Sequence, residues 1–165
     1  MPLVDEAKVR DLLPKDWPQG ASVQWVRLLA NFPTSAKGRI ATIRDTEERG
    51  DLSPLLKAQV SWIIARQDRA WYATGLAKQR LKELGQTDDQ IYQLDGDWKE
   101  FESKDRSLFR VARQLAATPV VLTDDEVDAA VNLAGPRDVV QLINYVTNRA
   151  SFDRITEAAG LQLPN

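Results

Sequence analysis

Apolar positions along this chain recur at three- and four-residue steps and hardly ever alternate, which predicts helices throughout and no sheet. Leu56, Val60, Ile63 and Ile64 follow that step after Ser53-Pro54, an N-cap with a proline in the first turn, where its missing N–H costs nothing. These positions predict a helix with one buried face running to about Gln67. A further helix, about Arg69 to Leu84, ends at Gly85, and Thr87 caps a short one after it. Leu108, Val111, Ala112 and Leu115 form the next apolar stripe, while Thr123 and Glu126 have the spacing of a capping box and set a helix start near Asp124. Beyond Gly135-Pro136, the spacing of Val139, Val140, Leu142, Ile143 and Val146 outweighs their β-branched bias and predicts a long final helix.

The start of the chain is punctuated differently. Pro2, Pro14 and Pro18 mark residues 1–21 as a Pro-rich arm over the surface, with one short helix from about Asp5 to Leu13. Ser22 is the candidate cap of a helix through Trp25, Leu28 and Leu29 that Pro33 brings to an end, and a third helix, about Ser35 to Arg49, stops at Gly50. Asp95-Gly96 marks a loop. The class is all-α, one domain over residues 1–165, long enough for one real core and too short for two.

Composition removes more functions than it suggests. At 43% hydrophobic and 28% charged residues the chain should fold as a globular protein. Its 22 basic residues are scattered among 24 acidic ones for a net charge of -2, so nucleic acid is excluded as a partner. No apolar stretch approaches the roughly 20 residues that span a bilayer, and the start lacks the features of a signal peptide, so a cytoplasmic protein without a membrane partner is expected. There is no Cys and no His. Disulfides, thiolate metal sites and imidazole chemistry are therefore ruled out, and neither cofactor nor metal is expected. Chance, selection for redox inertness and deliberate engineering of a scaffold would each explain the joint absence.

One segment carries a specific resemblance. Leu52-Ser53-Pro54-Leu55-Leu56-Lys57, then Val60 through Ala73 with Asp68-Arg69-Ala70-Trp71-Tyr72, and Gly85 downstream, resemble the core of the alkyl hydroperoxidase D-like (carboxymuconolactone decarboxylase) superfamily, in its peroxidase-related branch. In that family such a cap and helix lead into an Asn-x-Cys-x-Tyr-Cys turn, followed by a His and a helix-ending Gly. On that spacing the cysteine positions are Ala70 and Ala73, the histidine position is Ala77, the upstream glutamate position is Ala58, and Asp68 takes the Asn position. Ser107 to Pro119, Val121 to Val127, Ala134-Gly135 and Asn148-Arg149 resemble the family's closing helices, so the likeness covers roughly Trp25 to Arg154. It implies a compact multi-helix domain, residues 52–86 as the former active-site helix pair, and a homo-oligomer, trimer or hexamer. It also implies that the family's thiol chemistry is gone, because a methyl group cannot attack a peroxide or resolve a sulfenic acid.

What remains at that segment has two readings. Ala70, Ala73 and Ala77 lie at i, i+3 and i+7, one small-residue face that serves either close helix packing or an emptied pocket for a small apolar ligand. Such a pocket would be bounded by Ala58, Trp62, Trp71, Tyr72 and Leu76 as well. Asp68 and Arg69 are either an N-cap and a solvated charge or, in an open pocket, a general base with Arg69 or Tyr72 to stabilise negative charge. A buried Asp68 of raised pKa favours an enzyme and an exposed, ordinary one an inert protein. Asp95, Asp97 and Glu100 read as a solvated loop, lacking the ligand alternation of a calcium site. Asn148-Arg149 is expected to bond helix ends or a neighbouring subunit, and Trp17, Trp25, Trp62, Trp71 and Trp98 to anchor core or interface. Two functions stay open: a redox-inactive member of the family with a small-molecule-binding or scaffold role, and an enzyme, natural or engineered, using non-thiol acid–base chemistry.

Overall fold

The computed structural model describes residues 1–13, 15, 17 and 23–163, and among them every regular element is helical. The helices are α1 (Glu6–Val9, continued by a 3₁₀ turn, Arg10–Leu12), α2 (Gln24–Leu29), α3 (Pro33–Glu48), α4 (Pro54–Gln67), α5 (Trp71–Glu83), α6 (Asp88–Gln93), α7 (Ser103–Ala116), α8 (Asp124–Ala134) and α9 (Pro136–Ala158). The boundary residues Pro14 and Pro18 and the cap assigned to Ser22 lie outside the described residues.

Local chemistry sets most of these limits. The Ser53 hydroxyl accepts the Leu56 N–H at 3.1 Å, and Thr87 with Gln90 and Thr123 with Glu126 form reciprocal capping boxes. Pro33 differs from expectation: it is the first residue of α3, where its fixed φ suits a helix start, so α3 begins two residues before Ser35.

The largest departure concerns α4. Instead of one buried face, every residue from Leu56 to Ala65 is buried, because α4 packs against α5, α7 and α9 and runs through the centre of the molecule. Central position exposes the cost of polar groups inside it, and Lys57 answers that cost locally. Its ammonium donates to the carbonyls of Thr46, Glu47 and Arg49, satisfying the open C-terminal end of α3.

Two buried apolar clusters result. The larger holds Ala58, Trp62, Ala77, Leu108, Phe109 and Leu142; the smaller holds Trp25, Ile40, Ala70, Tyr72, Ala73 and Phe152. Gly75, inside α5, leaves room for the chain's end: a Cβ there would meet Leu163 Cδ1 at 1.8 Å. Among the described residues no helix is long and apolar enough to cross a membrane.

Candidate functional site

The turn between α4 and α5 carries the segment that resembles the family's motif, and it is built as a Schellman motif. The Ala70 N–H donates to Ala65 O at 2.9 Å and the Arg69 N–H to Arg66 O at 3.3 Å. This makes Asp68 the C-cap of α4 and places Arg69 at the left-handed position, φ 52°, that glycine usually fills. Helix α5 consequently starts at Trp71, two residues later than the spacing predicts. The sequence reading of Asp68 as an N-cap is corrected by this geometry: the residue closes one helix and does not open the next.

The small-residue face is filled. Ala70 and Ala73 are fully buried, Ala77 and Ala58 nearly so, and Tyr72 and Trp62 are buried beside them, so the expected pocket on this face is occupied by packed side chains. None of the main clefts is lined by Ala70, Ala73 or Ala77. Leu76 is half-buried against the smaller cluster. Trp71 points the other way, 67% exposed, because α5 turns its alternate face to solvent.

Asp68 is neither solvated nor open. Its side chain retains a tenth of its exposure and lies 3.4 Å from Arg154, whose guanidinium also donates to Ala116 O and Thr118 Oγ1. Burial raises the Asp68 pKa and Arg154 opposes the rise. Among the described residues no hydrogen bond reaches Asp68 Oδ2, which is ion-paired with Arg154 Nε at 3.4 Å.

That carboxylate adjoins a polar network the sequence reading did not predict. On α9, Tyr145, Arg149 and Asp153 occupy i, i+4 and i+8, one buried stripe. Tyr145 Oη donates toward the Glu47 carboxylate at 3.0 Å, shares a 2.6 Å bond with Ser61 Oγ and lies 3.1 Å from Lys57 O. Arg149 pairs with Glu47 at 3.2 Å and with Asp153 at 3.5 Å, so Arg149 ties the last turn of α3 to the middle of α9 and does not join two helix ends, while Asn148 donates to Asn144 O. The Asp153 carboxyl is pushed up to about 7 by burial foremost; Arg149 opposes that, and Asp68 and Glu47 add repulsion. Polar residues stand on every side of α9, so spacing alone does not single out this stripe.

A cleft of about 530 Å³ opens on the opposite side of the α4–α5 turn. Arg66, Arg69 and Trp71 form one wall, Asp95, Trp98 and Arg113 the other, over an apolar floor of Ile63 and Leu94. Trp98, at φ 61°, and Arg69 are the non-glycine residues of positive φ among those described, and both line this cleft. Trp98 is held by its indole N–H to Leu94 O at 2.8 Å, by an edge contact with Phe109, and by the Arg113 guanidinium 4.2 Å from its ring centroid. Asp95 is not a merely solvated loop residue: it accepts from Trp62 Nε1 at 2.9 Å and from Arg66 at 3.0 and 3.2 Å, fastening the α6–α7 loop to α4. Asp97 pairs with Lys99 in solvent, and among the described residues no cluster of His, Cys, Asp or Glu is arranged to hold a metal ion.

Set beside known proteins, the fold is that of alkyl hydroperoxidase D-like proteins. A cysteine-to-alanine variant of the debrominase Bmp8, in complex with 2,3,4-tribromopyrrole, superposes with a TM-score of 0.86 at 11% identity, covering 98% of this chain and 90% of the other. The apo form of Bmp8 gives 0.82 at 10% identity with the same coverage. A protein of unknown function from Agrobacterium tumefaciens, a candidate antioxidant defence protein AhpD, gives 0.69 at 14% identity, covering 81% of this chain and 92% of that one. In sequence, no protein-family model matches the chain and no curated protein matches it significantly.

Proposed function

We propose that this chain is a redox-inactive, small-molecule-binding protein on the alkyl hydroperoxidase D-like fold, with its binding site in the cleft between the α4–α5 turn and the α6–α7 loop. The observation that carries this reading is the pairing of two strained backbones, Arg69 and Trp98, across one cleft. Left-handed non-glycine residues cost roughly 1–2 kcal/mol each, and such strain concentrates where a side chain must be aimed at something. The cleft volume lies within the roughly 300–1,000 Å³ usual for small-ligand sites. The tribromopyrrole complex of Bmp8 places a flat small molecule on a protein of the same fold, which supports the ligand class without naming a ligand here.

The test is a small-fragment screen followed on backbone amide resonances. Hits that shift the amides of Arg69, Trp71, Asp95 and Trp98 support the reading; no perturbation by any fragment, or hits confined to other surfaces, would contradict it. The chain is further proposed to be cytoplasmic and to assemble as a trimer or hexamer, on the resemblance alone. Sedimentation equilibrium at a single 18.6 kDa mass would remove the oligomer.

A second reading is favoured by Asp68, a part-buried carboxylate of raised pKa whose one close cationic partner is Arg154, as a general base would be held. In that reading the substrate reaches Asp68 from the Arg154 side. Asp68→Asn then abolishes turnover of whatever substrate is found, and unchanged turnover removes Asp68 from the chemistry.

A further inference from the structure

The charges around the cleft do not cancel. Arg66 is neutralised by a two-pronged ion pair with Asp95, the one acidic residue among the cleft's lining. Arg69 is exposed, and its side chain has no carboxylate partner among the described residues. Arg113 is exposed too, stacked on Trp98 and likewise without a carboxylate. Two positive charges therefore face one cleft uncompensated.

The floor of the cleft is apolar. Ile63, Leu94 and Trp98 are almost fully buried at its base, whereas Trp71 leaves 67% of its surface to solvent at the rim. The exposed Trp71 indole offers an apolar face beside the unpaired guanidiniums, and an aromatic ring covers such a face at little entropic cost. Guanidinium groups bind carboxylates in a planar, two-pronged geometry and are less strongly hydrated than ammonium groups, so an organic acid satisfies both requirements.

We infer that the cleft binds a small aromatic carboxylate, the acid held by Arg69 and Arg113 and the ring lying against Trp71 and Trp98. This rests on the cleft being the binding site proposed above and adds the chemical class of its ligand. The Arg66–Asp95 pair has a positioning role, since it fixes the α6–α7 loop on which Trp98 stands. Specificity follows from the same arrangement: a neutral aromatic leaves both guanidiniums unsatisfied, and an aliphatic acid leaves the Trp71 indole bare.

Isothermal titration of the whole protein with sodium benzoate, benzamide and sodium acetate tests it, repeated on Arg69→Gly and Arg113→Gln. Benzoate is expected to bind saturably, with benzamide and acetate each at least about ten-fold weaker, and each substitution is expected to weaken benzoate about ten-fold. Arg69→Gly separates binding from folding, because glycine suits φ 52° and its melting temperature should not fall. Benzamide binding as tightly as benzoate would overturn the charge assignment and leave the small-molecule reading standing. No binding of any of the three, with the fragment screen also empty in the cleft, would overturn both. If the cleft is instead covered by a second copy of the chain, the two substitutions alter the sedimentation coefficient while benzoate does not bind, and that result also overturns the inference.

Discussion

Arg69 and Asp153 are the residues whose chemistry is most at odds with their positions. A left-handed arginine closing α4 is strained by its own Cβ, and glycine removes that strain while adding freedom to the unfolded chain. Arg69→Gly should therefore stabilise the protein by about 0.5–1 kcal/mol in urea denaturation. Asp153 gives a sign that can be worked through pH. The unfolded carboxyl titrates near 4, the folded one near 7, so between those values the native chain keeps a proton that the unfolded chain releases. The Asp153 contribution to stability is full below about pH 4, falls as pH rises toward 7, and then levels; the raised Asp68 contributes in the same direction. Thermal melts of the wild type should show that decline, and Asp153→Asn should flatten it. An unchanged slope in the variant would place the titration elsewhere.

At the scale of elements, capping signals and apolar spacing made most helix ends legible. Ser53, Thr87, Thr123 and Gly85 act as their residue types demand, and the structure adds only the bonds they make. Pro33 was ambiguous because proline marks the end of one helix and the first turn of the next equally well. What spacing could not convey was the centrality of α4, since a helix buried all round and one buried on a single face share many of the same apolar positions. Lys57 is the residue that betrays it, a lone cation in an apolar run whose partners are carbonyls and leave no mark in a sequence. Lys57→Met keeps the length and removes the donor, leaving three α3 carbonyls without it. The expected loss is about 2–3 kcal/mol by chemical denaturation, with the α3–α4 junction losing amide protection first.

Across the whole molecule, the motif-like segment and the candidate site share the α4–α5 turn. The alanines at positions 70, 73 and 77 face inward and are packed, whereas Arg69 and Trp71, their immediate neighbours, face the cleft. The sequence reading named Arg69 and Trp71 together with the alanines, and the structure puts the first two on the cleft and the alanines in the packing. Residues reacting through sulfur in the resembling family are the ones a motif makes visible, but Trp98, Arg113 and Asp95 reach the cleft from the distant α6–α7 loop and α7, and no local pattern joins them to Arg69. The Tyr145–Arg149–Asp153 stripe was not legible, because α9 carries polar residues on its other faces too and the partners Glu47 and Ser61 come from α3 and α4.

The central claim, that the small-residue face is a packing surface and the cleft beside it the binding site, is tested most directly by a crystal structure grown with 4-bromobenzoate, its bromine located by anomalous scattering. A bromine peak between Trp71 and Trp98, with the carboxylate toward Arg69 and Arg113 and the alanine face still closed, is the result the account predicts. A peak beside Ala70, Ala73 and Ala77, with that face opened to admit the ring, would contradict it.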